Sequence, residues 1–145
     1  MKLTQITVLL AILFSTTSGA APWGGKGQPV FNVNSSYASL EFNNTFFDGT
    51  AATLPSIEKA IVAAITARAW LVTKNDEATH TIQAEILVRE RHYAKVEIKY
   101  STTNYSITYM DSRGLQHRGG QIHRNYNKWV KLLNKAIREK LMFLN

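Results

Sequence analysis

The sequence predicts an α+β domain, an antiparallel β-meander sheet of about four strands with two amphipathic helices packed on one face. Two observations carry that reading. Three consecutive runs between positions 81 and 110 alternate apolar and polar residues, and apolar residues recur at helical spacing on either side of them. A period of two with one polar face marks an antiparallel sheet solvated on one side, and the flanking helices bury their apolar stripes against the other.

The first twenty of the 145 residues read as a secretory signal peptide. Lys2 supplies the charge, "ITVLLAILF" the apolar stretch and "STTSGA" a small-residue exit, with cleavage after about Ala20 or one residue later. A membrane anchor is the other reading, but nine apolar residues fall well short of the ~20 that cross a bilayer. No later stretch reads as a transmembrane segment. The chain contains no cysteine, which removes disulfides, thiolate metal sites, thiol nucleophiles and lipid attachment at a cysteine. An exported chain without a disulfide suits a bacterial periplasm at least as well as a eukaryotic lumen, and the reading taken is a bacterial protein, periplasmic or secreted.

Residues 21–52 read as an N-terminal extension, mobile over its first eight residues, with possible short strands at "VFNVN" and "LEFNNTFF". Residues 53–145 read as a single α+β domain. Its first helix spans "TLPSIEKAIVAAITARAW", with Thr53 or Ser56 as cap, Pro55 in the first turn and Glu58 complementing the positive end. Ile57, Ile61, Ala64, Ile65 and Ala69 make its buried face. "WLVTKND" reads as the first strand of the sheet. "TIQAEILVR" then turns Ile82, Ala84, Ile86 and Val88 inward, with Leu87 as an apolar exception on the outer side. "YAKVEIKY" and "YSITYM" repeat the alternation, and the short joins at 90–92 and 101–104 make a meander. A Gly-rich polar loop over 111–121 leads to a helix over 122–142, whose core stripe is Ile122, Tyr126, Trp129, Val130, Leu133, Ile137 and Leu141.

Charge is concentrated at that end. The formal net charge is +7, and the stretch from Arg113 to Lys140 holds eight Lys and Arg against one acid, Glu139. A local field of this sign enriches anionic partners without selecting among them. On the last helix, Lys128, Lys131, Lys135 and Arg138 follow one another at spacings of three and four, so they form a cationic helix face that either grips an anion or is simply solvated. The preceding loop and helix start bring together Arg113, His117, Arg118, Gly119, Gly120, His123 and Arg124. Glycines before a helix can cradle an anion on backbone amides while arginines clamp it; the alternative is a mobile loop. "GLQHRGG" matches neither a Walker loop nor a dinucleotide fingerprint. The four histidines have no metal-ligand spacing, and no Ser-His or carboxylate pair makes a catalytic set.

Three segments, "VEIKY" at Val96–Tyr100, "YSITY" at Tyr105–Tyr109 and "IHRNYNKWV" at Ile122–Val130, resemble a functionally uncharacterised family of small exported bacterial proteins, many of them lipoproteins. The resemblance spans residues 54 to 142 and implies no catalytic residues. This chain departs from the lipoprotein members by lacking the lipid-attachment cysteine. The sequence therefore points to a noncatalytic periplasmic or cell-envelope binding or interaction module, without cofactor or metal, whose partner is an unknown envelope protein or anionic ligand. Binding of an anionic polymer or lipid surface by the cationic helix face is the alternative, and a small hydrolase using His117 and His123 the second. Nucleic acid is disfavoured because Tyr126 and Trp129 fall on the core stripe rather than among the bases.

Overall fold

The computed structural model describes residues 27–37, 41–42, 45–46 and 52–144. The stretch over 1–20 read as a signal peptide and the start of the extension lie outside the described residues. The elements are β1 (Gly27–Pro29), β2 (Val33–Ser36), β3 (Glu41–Phe42), β4 (Thr45–Phe46), α1 (Leu54–Ala67), β5 (Leu71–Asp76), β6 (Thr81–Val88), β7 (His92–Tyr100), β8 (Asn104–Arg113), β9 (Gln121–His123) and α2 (Arg124–Met142).

The fold is α+β, as the alternation of β6 to β8 requires. Five antiparallel strands pair in the order β2-β8-β7-β6-β5. Four of them are the expected meander. The fifth, β2, comes from the N-terminal segment and pairs with β8 from Val33↔Ile107 to Ser36↔Asn104. A separate two-stranded ribbon joins β1 to β9, and β3 pairs with β4. Val33 and Tyr37 are buried with the main core, so residues 27–37 belong to the packed body of the domain.

Inward residues of the sheet (Ile82, Ala84, Ala94, Val96, Ile98, Tyr105 and Ile107) form one cluster with Ile57, Ile61, Ala64 and Ile65 of α1 and Val130, Leu133, Ile137 and Leu141 of α2. Each Ile, Leu or Val of this cluster contributes about 1.5–3 kcal/mol when removed from water, and each alanine less. Leu87, on the opposite face, is 59% exposed, as its phase in the strand dictates.

Several boundaries differ from the sequence expectation for identifiable reasons. Helix α1 begins in a capping box in which Thr53 Oγ1 accepts from Ser56 N and Ser56 Oγ from Thr53 N, so both candidate caps act together. Glu58 lies beyond that first turn and is committed elsewhere. Ala69 is not on the buried face: the helix ends at Ala67, and Ala69 is exposed at φ +58°. At the other end, Ile122 belongs to β9, and His123 caps α2 by accepting from Asn125 N on its Nδ1. The polar loop is shorter and better anchored than its composition implies. Strand β8 runs on to Arg113, Leu115 is buried at 1% exposure, and His123 N donates to Leu115 O at 2.8 Å.

A basic cleft between a hairpin tip and helix α2

The residues singled out in sequence separate into five structural situations. Arg113 ends β8 on the outer face of the sheet, its guanidinium 4.8 Å from the Tyr93 ring centroid, beside a cavity of about 300 Å³ that also borders Leu71, Glu85 and Leu87. His117 stacks on Tyr109 with ring centroids 4.5 Å apart. Gly119 and Gly120, at φ +55° and +74°, are the central residues of a tight turn closed by the two backbone hydrogen bonds between Arg118 and Gln121. Positive φ at both positions is what glycine supplies there. Strand β9 separates that turn from α2, and His123 occupies an amide at the helix end, so the glycines and the helix N-terminus are not one cradle. Arg118 and Arg124 are exposed and unpaired among the described residues.

The cationic face is divided in a similar way. Lys131 Nζ stands 5.2 Å from the centre of the Phe31 ring, and Lys135 pairs with Glu139 at 3.7 Å. Arg138 is half-buried and acts electrostatically on Tyr105. Lys128 faces a different neighbour. It lines a cleft of about 320 Å³ with Asn125, Trp129 and Leu132 of α2 and with Val88, Arg89 and His92 from the β6–β7 hairpin. Trp129 is only half-buried, against the sequence expectation of a core residue: it packs on the core and presents the rest of its surface to this cleft.

The hairpin that completes the cleft is unusual in backbone. Arg89 and Glu90 both adopt positive φ, +53° and +54°, where Asn-Gly is the favoured pair. Left-handed backbone costs a non-glycine residue about 1–2 kcal/mol. Such strain is maintained by neighbouring contacts, and one is visible. Gly114 approaches so closely that a Cβ there would stand 2.2 Å from Arg91 O, and His92 Nδ1 donates to Gly114 O at 2.9 Å. Gly114 therefore lets the end of β8 brace the tip of the neighbouring hairpin.

The cleft thus carries two formal cations, Arg89 and Lys128, with the polar His92 and Asn125, over an apolar floor of Val88, Trp129 and Leu132. No acidic residue lines it, and neither cation has an ion-pair partner among the described residues. Arg89 and His92 did not stand out in the sequence, because Arg89 reads as an outward residue ending a strand and His92 as part of the short join after it; the two successive bulky residues Arg89 and Glu90 were the available signal.

Two residues of the "IHRNYNKW" run have structural duties. Asn127 is buried. Its Oδ1 accepts from Phe31 N at 3.0 Å, and its Nδ2 donates to Pro29 O at 2.9 Å and to Gln28 Oε1 at 3.4 Å. It clasps the N-terminal segment to α2. Tyr126 is fully buried, edge-on to Tyr109 at 5.5 Å, and burial pushes its phenol well above the usual tyrosine range. Among the described residues, no group of three His, Asp or Glu side chains is placed to hold a metal ion, and no helix is long and apolar enough to cross a membrane.

The fold and cleft define an α+β domain with two helices joined to a five-stranded antiparallel sheet in one core. No protein-family model matches the chain, and no curated protein matches it in sequence. The resemblance to small exported bacterial proteins accordingly rests on the quoted residues alone.

Proposed function

We propose that the protein is a noncatalytic binding module of the bacterial cell envelope, exported by its N-terminal signal peptide, that takes an anionic ligand bearing an apolar group. The observation that carries this reading is the cleft shared by Arg89, His92, Asn125 and Lys128 over Trp129 and Leu132. Two cations, with no acidic residue in the described lining, give the cleft a positive character that an anionic headgroup would neutralise, while an aromatic floor would accept an apolar stem. The braced, strained hairpin tip supports the same reading, since strain of this kind gathers at binding sites. The rest of the cationic face supports it less, because Lys131 and Lys135 are occupied by Phe31 and Glu139. The hydrolase reading has less support still: its two histidines are engaged in a ring stack and a helix cap.

Titration calorimetry with n-octyl phosphate, run beside inorganic phosphate and beside phosphatidylglycerol vesicles, tests the proposal. Octyl phosphate should bind more tightly than inorganic phosphate, and its affinity should fall with added salt as the Debye length shrinks from about 10 Å at 0.1 M toward about 3 Å at 1 M. Arg89→Gln with Lys128→Gln should weaken binding by about tenfold or more, the scale of one lost charged hydrogen bond. Lys131→Gln with Lys135→Gln should leave it nearly unchanged. Salt-independent binding, or loss confined to the second pair, would overturn the proposal. Saturable binding of vesicles by the same residues would identify the ligand as a lipid headgroup.

A further inference from the structure

A second cleft, of about 440 Å³, has the opposite character. It is lined by Leu54, Pro55, Glu58 and Lys59 of α1, by Glu77 and His80 of the β5–β6 turn, and by Tyr100 at the end of β7. The β5–β6 and β6–β7 turns lie at opposite ends of the eight-residue strand β6, so this cleft and the basic one are separated by on the order of 25 Å.

Glu58 is its fixed point. Its Oε2 accepts from the Tyr100 hydroxyl at 2.9 Å, and its Oε1 accepts from Asn75 Nδ2. Two donors from two strands hold the carboxylate in one orientation. Tyr100 remains a donor at any ordinary pH, because desolvation first, and then its hydrogen bond to Glu58, lifts its phenol far above the usual range. A carboxylate has roughly four acceptor positions. The two donors leave about half of them for a ligand. Glu77 adds a second negative charge near the Tyr100 hydroxyl. The only Lys or Arg in the lining is Lys59, which makes no salt bridge with either glutamate among the described residues.

The walls fit the same kind of guest. The His80 and Tyr100 rings stand 5.5 Å apart at 48°, and Leu54 and Pro55 provide an apolar border. His80 holds its place at φ +50°. The start of α1 does not compete as an anion site, because the Thr53–Ser56 capping box already occupies the Ser56 amide there. Carboxylates beside aromatic rings, with a short apolar border, are the surroundings that an organic cation finds favourable.

We propose that this cleft binds an organic cation, a primary ammonium or guanidinium carried on a short apolar stem, with Glu58 and Glu77 as its counter-charges and His80 and Tyr100 as its walls. The cation is supplied either as a free small amine or as a lysine or arginine side chain of a second copy of this strongly basic chain.

The test is a two-dimensional amide NMR titration of the signal-free chain with n-butylammonium and n-butylguanidinium, with n-butanol as the neutral control. Saturable shifts should gather at residues 54–59, 77–80 and 100, and n-butanol should produce none. Glu58→Gln should weaken binding by about tenfold, the scale of one charged hydrogen bond. Glu77→Gln, on an exposed turn and therefore safe for folding, should weaken it in the same direction. Sedimentation at rising protein concentration separates the two sources. Self-association that butylammonium and Glu77→Gln both reverse assigns the cation to a second copy, and a monomer that still binds butylammonium assigns it to a free amine. The proposal is overturned if neither cation gives saturable shifts up to about 10 mM, which is looser than a millimolar site, or if binding ignores both glutamine substitutions. Either result leaves the basic cleft untouched, since no residue is shared.

Discussion

Asn127 shows how a single side chain can be misread when only its neighbours in sequence are visible. Flanked by Tyr126, Lys128 and Trp129, it looks like part of a recognition motif, yet its amide spends three hydrogen bonds on Gln28, Pro29 and Phe31. Those contacts span nearly a hundred residues of sequence, and no spacing rule reaches that far. Asn127→Ala leaves Phe31 N without its acceptor, and an unpaired buried amide costs about 1–3 kcal/mol. The expected outcome in urea unfolding is a loss of that size, with hydrogen exchange accelerated at 28–31. Loss of ligand binding with unchanged stability would instead make Asn127 a contact residue. Trp129 teaches the converse lesson: its helical phase predicts the core, and it is at the core, but its half-exposed edge belongs to the basic cleft. Phase tells which side a residue faces, not how far a neighbouring hairpin extends to cover it.

Among the elements, the strands were legible because alternation is a local property. Strands β6, β7 and β8 and both helices stand within a few residues of their expected positions. Strand β2 could not be assigned in the same way: four residues carry too little pattern, and its place at the sheet edge is fixed by pairing with β8 some seventy residues later. The β6–β7 turn, which supplies the hairpin side of the proposed cleft, was passed over by sequence patterning. Arg89 and Glu90 keep positive φ at a cost that Asn-Gly would avoid. Arg89→Asn with Glu90→Gly should therefore raise stability by about 1–2 kcal/mol in thermal or urea unfolding. The same change should weaken octyl phosphate binding. A variant that loses stability would show that the side chains, rather than the backbone strain, decide the energetics of the tip.

Across the whole molecule, the net charge hides a division between a basic end and an acidic cleft. The sequence located the basic half through its C-terminal run, but the acidic cleft is assembled from α1, one turn and one strand end that are far apart along the chain. Four buried or half-buried phenols add a property of the folded state as a whole. Burial raises Tyr37, Tyr100 and Tyr126 strongly, and lifts Tyr105 from 10.0 to about 12. Above about pH 10 the unfolded chain ionises these groups while the folded chain keeps them protonated, so the folded state then binds more protons and stability falls as pH rises. Alkaline unfolding followed by circular dichroism should coincide with phenolate absorbance. Tyrosines that titrate near 10 while the fold persists would contradict that assignment.

If an anion binds the proposed composite cleft rather than the helix face alone, amide NMR mapping with octyl phosphate should show saturable shifts at 88–92 and 125–132 together, because hairpin and helix would both touch one ligand. Shifts that follow Lys131, Lys135 and Arg138 along α2 while 88–92 stay still would contradict it.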